Sequence, residues 1–444
     1  MMTKAISYHR IWKVSLPIIF SGIAQNIVNV TDTAFLGRVG LVELGAAGNA
    51  GIFYFVLVMI GMGFTIGCQI IIGRRNGEQN FHQIGHLFNT ALYFLIPLSV
   101  LVFLFTQYVA PALMTFFTSS DAVLQASNTF LKVRGFGIFF AYLNFLFIAF
   151  YTGITKTRVL TYATFIQAGI NVVLDYLLIF GHGGFPQMGI EGAALASVIS
   201  EIVAMIYFVL YTRIKIERSK YGLELQFVFS GTKLIKILKI GFPIMIQNFM
   251  ALSSWLAFFL IIEKIGEKEL AASHIIRSIY MVLMIPLFGF SNATSTLVSN
   301  VIGEGKPSEV LQLVIRVVKL SLLCTGLFLP LLLFFPQEII GVYTNNPVLI
   351  ATSLPLLYVI GGSMLFFSMA FIFFASVTGT GKTQVSLAIE TSSIVIYLLM
   401  AYYIGVHLQK SLTWVWCTEF IYFTIMGLLS FLYLKFGNWK SSLV

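Results

Sequence analysis

Long runs of apolar residues, separated by short polar connections, recur along the whole chain. Because an α-helix rises about 1.5 Å per residue, roughly 20 apolar residues are enough to cross the hydrocarbon core of a bilayer. On this criterion the pattern predicts twelve membrane-spanning helices, and therefore an all-α polytopic membrane protein. The approximate cores of the spans are residues 12–36, 46–73, 87–109, 133–154, 160–181, 189–212, 238–263, 272–300, 315–336, 351–377, 384–406 and 413–436.

The composition agrees with this pattern. Of the 444 residues, 58% are hydrophobic and 10% are charged, and the mean hydropathy is +0.92. Soluble proteins average about 25% charged residues, so a water-soluble fold is excluded. The three cysteines form no CxxC pair, and no nucleotide-binding or metalloprotease motif is complete. We therefore expect a protein that is not an enzyme and that uses no cofactor beyond a coupling ion.

The net charge of +10 is explained by topology. Lysine and arginine are spread between the apolar runs and do not cluster on one basic element, so nucleic acid is excluded as a partner. If the N-terminus is inside, 20 of the 27 basic residues face the inner side, which predicts that both termini are cytoplasmic. The remaining seven are Arg38, Lys132, Arg134, Lys264, Lys268, Arg277 and Lys410. We expect a multi-pass protein of the plasma (inner) membrane of a bacterium.

The chain contains an internal repeat at a fixed offset of 226 residues, without a gap. Aligned identical residues include Pro17 with Pro243, Gly40 with Gly266, Glu43 with Glu269, Gly63 with Gly289, and Thr152 with Thr378. Each half holds six predicted spans, so the two halves form a parallel repeat, which is typical of transporters. We predict an N-terminal six-helix lobe at 1–212 with an ion-coupling site, a cytoplasmic linker at 213–237 and a C-terminal six-helix lobe at 238–444.

Two acidic residues inside the predicted spans indicate a function. An acid at the centre of a spanning helix costs about 2.5–3.5 kcal/mol on insertion scales, so it indicates a functional site by default. Gln25, Asn29 and Asp32 share one face of the first span, and Asn171 precedes Asp175 by one turn in the fifth. The two polar stripes could frame one cation, H+ or Na+, because such oxygen-rich groups suit hard cations. The alternative is two independent acids that are satisfied by local hydrogen bonds.

The repeat makes the two halves unequal. The offset carries Asp32 onto Phe258 and Asp175 onto Ala401, so only the first half keeps these acids. This asymmetry predicts an ion-coupling first lobe and a second lobe that mainly moves and contacts substrate. Weaker intramembrane candidates, for which a structural role is equally expected, are Glu201, Glu390 and Glu419. Pro17 is a further weak candidate, which either starts the first helix or acts as a hinge within it.

Three segments of the first half carry a specific pattern: VTDTAFLGRVG at 30–40, NVVLD at 171–175 and GIEGAALAS at 189–197. They resemble the multidrug and toxic compound extrusion (MATE) family, and within it the DinF-like branch. With the twelve spans and the repeat, the likeness covers nearly the whole chain. The resemblance implies a fold of two six-helix lobes and transport coupled to a cation.

The resemblance also implies the residues of a cation or proton site in the first lobe. Carried over residue by residue, they are Asp32, Asn171, Asp175 and Ser197, which could hold Na+, with Gln25 on the same face and Asn144 as a looser addition. The NorM-type branch of the family carries an acid in the middle of the seventh helix. In this chain that place reads Ser253, Ser254 and Trp255, a departure that favours a first-lobe mechanism.

Together these features predict a secondary antiporter. It would export amphipathic, often cationic, drugs or toxic organic compounds by alternating access in exchange for H+ or Na+, as a monomer surrounded by membrane lipids. A lipid-linked oligosaccharide flippase of the same superfamily is an alternative, but the spans lack the lysines and arginines expected along its cavity. An intramembrane aspartyl protease is another, but its Gly-x-Gly-Asp motif is absent around both aspartates.

Overall fold

The computed structural model describes residues 7–224 and 229–440, and every regular element in these ranges is a helix. The first half contains α1 (Tyr8–Val39), α2 (Leu41–Gly77), α3 (Phe81–Tyr108), α4 (Ala110–Phe117), α5 (Asp121–Arg134), α6 (Gly137–Gly153), α7 (Arg158–Phe180), α8 (Gly189–Lys215) and α9 (Arg218–Tyr221). The second half contains α10 (Gly231–Glu263), α11 (Glu267–Gly303), α12 (Val310–Phe334), α13 (Pro336–Gly341), α14 (Pro347–Gly379), α15 (Thr383–Tyr402), α16 (Leu412–Trp416) and α17 (Thr418–Phe436). The prediction of an all-α fold is confirmed.

Twelve membrane spans can be assigned within the described ranges. Eleven helical segments are long and apolar enough to cross a membrane, and α5 with α6 makes the twelfth. This last span is broken, because its two helices are bent by 52° at the junction around Gly135. The predicted fourth span, residues 133–154, did not include this bend. An apolar pattern does not encode it, since the junction is set by tertiary packing: a Cβ on Gly135 would lie 2.7 Å from Thr106 Oγ1 of α3.

The helices form two compact units whose boundaries lie inside helices. The first unit is Phe20–Met245, and the second is Ile246–Val444 together with Met1–Ile19. The chain therefore passes from one unit to the other within α1 and again within α10. Neither boundary falls in the segment 213–237, of which residues 225–228 lie outside the described ranges. The first boundary follows Ile19 and the second follows Met245, so they are separated by the same 226 residues as the two halves of the repeat. Each half thus contributes the beginning of its first helix to the unit formed mainly by the other half.

Pro17 and Pro243 lie two residues before these boundaries. Because α1 begins at Tyr8, Pro17 lies well inside it, and the interpretation of Pro17 as a helix start is wrong. Pro243 has the same place inside α10. A proline inside a helix removes one backbone hydrogen bond and favours a bend. A hinge at Pro17 stays a prediction.

The beginning of α1 is packed into the second unit by apolar and ionic contacts. Ile11 and Ile19 belong to a buried apolar cluster that also contains Phe290 of α11. Arg10 adds an ion pair with Glu304, in which Nη1 and Oε1 are 2.9 Å apart. The first turns of α1 are therefore an integral part of the second unit.

The beginning of α10 is packed into the first unit through glycines. A Cβ on Gly67 of α2 would lie 2.7 Å from the backbone nitrogen of Gly241 and 3.0 Å from the carbonyl oxygen of Ile237. These are backbone atoms, which cannot rotate away as a side chain can. Small residues at such a crossing allow two membrane helices to approach closely. Glycine at position 67 is therefore required for the close packing of α2 against α10.

We expect Gly67→Ala to destabilise the protein by roughly 1–3 kcal/mol, the usual cost of overpacking a close-packed core. The measurement is the thermal unfolding midpoint in detergent, followed by the reactivity of buried Cys68 with a thiol probe. Gly51→Ala on the same helix is the matched control, because no atom lies within 4 Å of its added Cβ. Equal midpoints for the two variants would contradict the packing described here.

Candidate cation site

Three helices of the first unit form the candidate site: α1, α7 and α8. Ala24 and Val28 of α1 form a small buried cluster with Ala168 of α7. The backbones of α7 and α8 also approach closely, since a Cβ on Gly192 would lie 2.8 Å from the carbonyl oxygen of Leu178. Apolar and small residues therefore hold the three helices together and leave their polar side chains to face one another.

The amide of Asn171 lies between two carboxyl groups. One end of the amide is 3.1 Å from Asp32 Oδ1 and 3.3 Å from Asp175 Oδ2. The other end is 3.5 Å from Ser197 Oγ. When the nitrogen faces the carboxyl groups, Asn171 donates a hydrogen bond to each of them. When the amide oxygen faces them, three oxygen atoms converge, and that arrangement requires a proton or a metal cation between them.

The two acids differ in their burial and face the same end of the Asn171 amide. Asp175 is 0% exposed, whereas Asp32 is partly exposed. Two carboxyl groups can form a hydrogen bond only when one of them holds a proton, and two ionised carboxylates at this distance repel. In the described part of the chain, Oδ1 of Asp175 has no hydrogen-bond partner. The pair therefore offers oxygen acceptors with which a proton or a cation could interact.

The other predicted residues do not join this cluster. The side chains of Gln25 and Asn29 are exposed on α1 and form no hydrogen bond within residues 7–224 and 229–440. Asn144 of α6 is buried, and its Nδ2 donates to the backbone carbonyl of Glu201 at 3.0 Å. Its Oδ1 has no partner among the described residues. The polar stripe predicted on α1 thus contributes one residue, Asp32, to the site.

A buried ion pair next to this region was not predicted from the sequence. Arg134, at the end of α5, was expected on the outer side, but its side chain is only 13% exposed and pairs with Glu201 of α8. The pair is bidentate, with distances of 2.8 Å for Nη1 to Oε2 and 2.5 Å for Nη2 to Oε1. The guanidinium also lies 4.2 Å above the ring of Tyr54. A lone acid in the middle of the sixth span was the only signal of this pair in the sequence.

The ion pair joins the break in the fourth span to the helix of the candidate site. Gly137, the first residue of α6, leaves room for it, because a Cβ there would lie 2.6 Å from Glu201 Oε2. Glu201 lies one turn after Ser197 on α8, so the pair and the site share a helix. Arg134 therefore fixes α5 against α8 just beside the serine.

The donors at Asp32, Asn171, Asp175 and Ser197 fit Na+ as well as H+. Carboxylate, amide and hydroxyl oxygens are the ligands that hard cations prefer. The unpartnered Oδ1 of Asp175 supplies an acceptor that such an ion could use. Within residues 7–224 and 229–440, no three His, Cys, Asp or Glu side chains are placed so that they could hold a metal ion together.

The duplicated helical fold and the buried carboxyl pair define a polytopic membrane transporter with an internal repeat. A family model for MatE matches the chain twice, at residues 17–177 and 243–403. The two matches have the offset of 226 residues that the repeat predicts, and together they cover more than half of the chain. The chain belongs to the MatE family of multidrug and toxic compound extrusion transporters. Its assignment to the DinF-like branch stays a prediction.

Relatives of known name agree with this family, and solved structures show the same fold. A probable multidrug resistance protein NorM of Thermotoga maritima is 26% identical over 436 residues, which cover 97% of this chain and 93% of that protein. A probable multidrug resistance protein YoeA of Bacillus subtilis is 22% identical over 369 residues, which cover 82% of this chain and 80% of that protein. An outward-facing multidrug resistance MATE family transporter of the MOP superfamily superimposes with a TM-score of 0.87 at 18% identity, covering 98% of each chain. A MOP superfamily transporter from Pyrococcus furiosus gives 0.88 at 18% identity, covering 96% and 94%.

We expect Glu201→Gln to destabilise the protein by about 3–5 kcal/mol, because it leaves the charge of Arg134 buried without a counter-ion. The unfolding midpoint in detergent measures this effect. Glu191→Gln, which removes an exposed acid from the same helix, is the matched control and should leave the midpoint unchanged. Replacing both Arg134 and Glu201 by methionine should restore much of the stability. A Glu201→Gln variant as stable as the control would show that the ion pair is not needed.

Proposed function

We propose that this protein is a cation-coupled antiporter that exports amphipathic, often cationic, organic compounds by alternating access. The observation that carries the proposal is the Asn171 amide between the carboxyl groups of Asp32 and Asp175 in the first unit. Membership of the MatE family and relatives named as probable multidrug resistance proteins support export of drugs. We further propose a monomer in the inner membrane of a bacterium, with both termini in the cytoplasm.

The coupling ion in this proposal is H+ or Na+, and the site accommodates each in a different way. A proton is shared between the two carboxyl groups, with the Asn171 nitrogen donating to both. A sodium ion binds between the carboxylates when the amide turns its oxygen toward them, with Ser197 close by. In both cases the ion removes the repulsion between Asp32 and Asp175. The Asn171 amide is thus turned differently in the proton-bound and the sodium-bound state. Its contacts with Asp32 on α1 and Asp175 on α7 differ accordingly.

Ion binding drives transport if it favours one facing of the protein more than the other. Each charge moved across the membrane is worth about 2.3 kcal/mol per 100 mV, which is enough to export a compound against a gradient. In this proposal α1 transmits the effect of ion binding, because it begins in the second unit and carries Asp32 in the first. In this proposal Pro17, just before the boundary, absorbs the bend that the movement imposes on α1.

We expect Asp32→Asn and Asp175→Asn to abolish gradient-driven efflux from proteoliposomes. An amide cannot take up the proton or supply the charge that holds a cation. The measurement is efflux of a fluorescent cationic dye after a pH gradient or a sodium gradient is imposed in separate runs. Asp121→Asn, an exposed acid at the start of α5, is the matched control and should transport like the wild type.

The outcomes separate the parts of this proposal. Efflux in the wild type under the pH gradient alone assigns H+, and efflux under the sodium gradient alone assigns Na+. Undiminished efflux in both aspartate variants would rule out the site, even if the protein is an antiporter. Efflux that is independent of either gradient in the wild type would rule out coupling itself.

A further inference from the structure

The second unit contains a buried carboxyl group of its own, Glu419 of α17. Glu419 is 6% exposed. The hydroxyl of Tyr280 on α11 donates to its Oε2 at 3.3 Å, and the hydroxyl of Tyr397 on α15 donates to its Oε1 at 3.0 Å. Each carboxyl oxygen therefore has one phenol donor, and three helices of the second unit meet at this group.

The repeat shows that this group occupies the counterpart of the first site. At the offset of 226 residues, Tyr397 stands where the first half has Asn171, and Phe258 stands where it has Asp32. These two positions also meet in the second unit, because the rings of Phe258 and Tyr397 stack with centroids 5.4 Å apart. Glu419 lies on α17, the helix that corresponds to the serine-bearing helix α8. The second half has thus lost the aligned aspartates but has a carboxyl group from another position at the same place.

The surroundings of Glu419 provide no positive charge. No lysine or arginine within residues 7–224 and 229–440 pairs with it, in contrast to the arginine that pairs with the buried glutamate of the first unit. The titratable groups that face it are Tyr280, Tyr397 and Tyr422. Glu390 of α15 is close enough to Tyr422 to interact with it electrostatically. None of these groups is a cation. An ionised carboxylate in such surroundings is costly unless a cation joins it.

The packing around Glu419 leaves room for a proton but not for a larger cation. Phe258 and Trp416 meet edge to face with centroids 5.3 Å apart, and both are almost completely buried, as is Tyr280. A metal ion would need several further oxygen ligands, and an organic cation would need space between these rings. A proton needs neither, since it binds directly to a carboxyl oxygen.

We propose that Glu419, Tyr280 and Tyr397 form a second proton-binding site, located in the second unit. A hydronium ion transfers its proton to one carboxylate oxygen and leaves as water, and the new O–H donates to the oxygen of one tyrosine. That tyrosine turns its own hydroxyl to another acceptor, and Ser363 lies within hydrogen-bond reach of Tyr280 for this purpose. No other bond changes. The role of this site in transport rests on the proposed function, whereas proton binding itself does not.

The test is infrared difference spectroscopy of the full chain in lipid, titrated from about pH 5 to about pH 9, a range that covers a buried glutamate. Labelling glutamate with ¹³C at the side-chain carboxyl separates its bands from those of aspartate. We expect a labelled, protonated carboxyl component that is missing in Glu419→Gln. It should remain in Glu390→Gln, the matched control, which removes the other buried glutamate of the second unit. A labelled band that persists unchanged in Glu419→Gln, or that is absent from the wild type over the whole range, overturns the proposal.

A second set of variants keeps the test valid if Glu419→Gln does not fold. Tyr280→Phe and Tyr397→Phe each remove one donor to the ionised form, so the titration midpoint of the band should move to higher pH by about one unit. An unchanged midpoint in both variants overturns the proposed site. The titration is repeated in Asp32→Asn, where transport is expected to fail. A glutamate band that survives there supports the second site independently of the proposed antiport, and a band lost with Asp32 contradicts it.

Discussion

A charge inside a bilayer finds no water, so the protein itself must provide every partner of a buried acid. Three buried acids illustrate this constraint. Glu201 has an arginine as its partner, Asp175 has an amide and a second carboxyl group, and Glu419 has two phenols. The arginine is a fixed counter-ion for its glutamate, and the ion pair holds α5 against α8. The other two acids have no lysine or arginine paired with them among the described residues. Under the proposed mechanism, these are the acids whose charge changes when an ion binds.

The internal repeat supplies the framework in which such a change can act. Both halves place a proline inside their first helix, and both helices begin in one unit and continue in the other. Glycines and apolar residues hold each beginning firmly in its unit, as Gly67 does for α10 and Ile11 does for α1. Under the proposed mechanism, movement of either helix would be taken up at its proline, where a backbone hydrogen bond is missing. Because Asp32 lies on α1, ion binding at the proposed site would act directly on one of these two helices.

The sequence predicted the fold and part of the site, for physical reasons that can be stated. Hydrophobic runs fix the spans, and helical spacing places Asn171 and Asp175 on one face of α7, because both are local properties of the chain. The bend at Gly135, the burial of Arg134 and the tyrosines around Glu419 depend on which helices become neighbours, and no local pattern carries that information. The boundaries between the two compact units lie inside α1 and α10 and not in the connection between the halves. The sequence does not show this, because a continuous helix gives no break in the hydrophobic pattern.

The two carboxyl sites differ most in their access to water. Asp32 is partly exposed, so a proton or cation can reach Asp175 through its neighbour in the state described. Glu419 has no exposed acid beside it and is enclosed by almost completely buried aromatic side chains. A proton at Glu419 can exchange only when the packing of α11, α15 and α17 opens. Under the proposed mechanism, exchange at Glu419 depends on the conformation of the protein, whereas the first site exchanges its proton or cation directly. That difference would give the two binding events an order within the cycle.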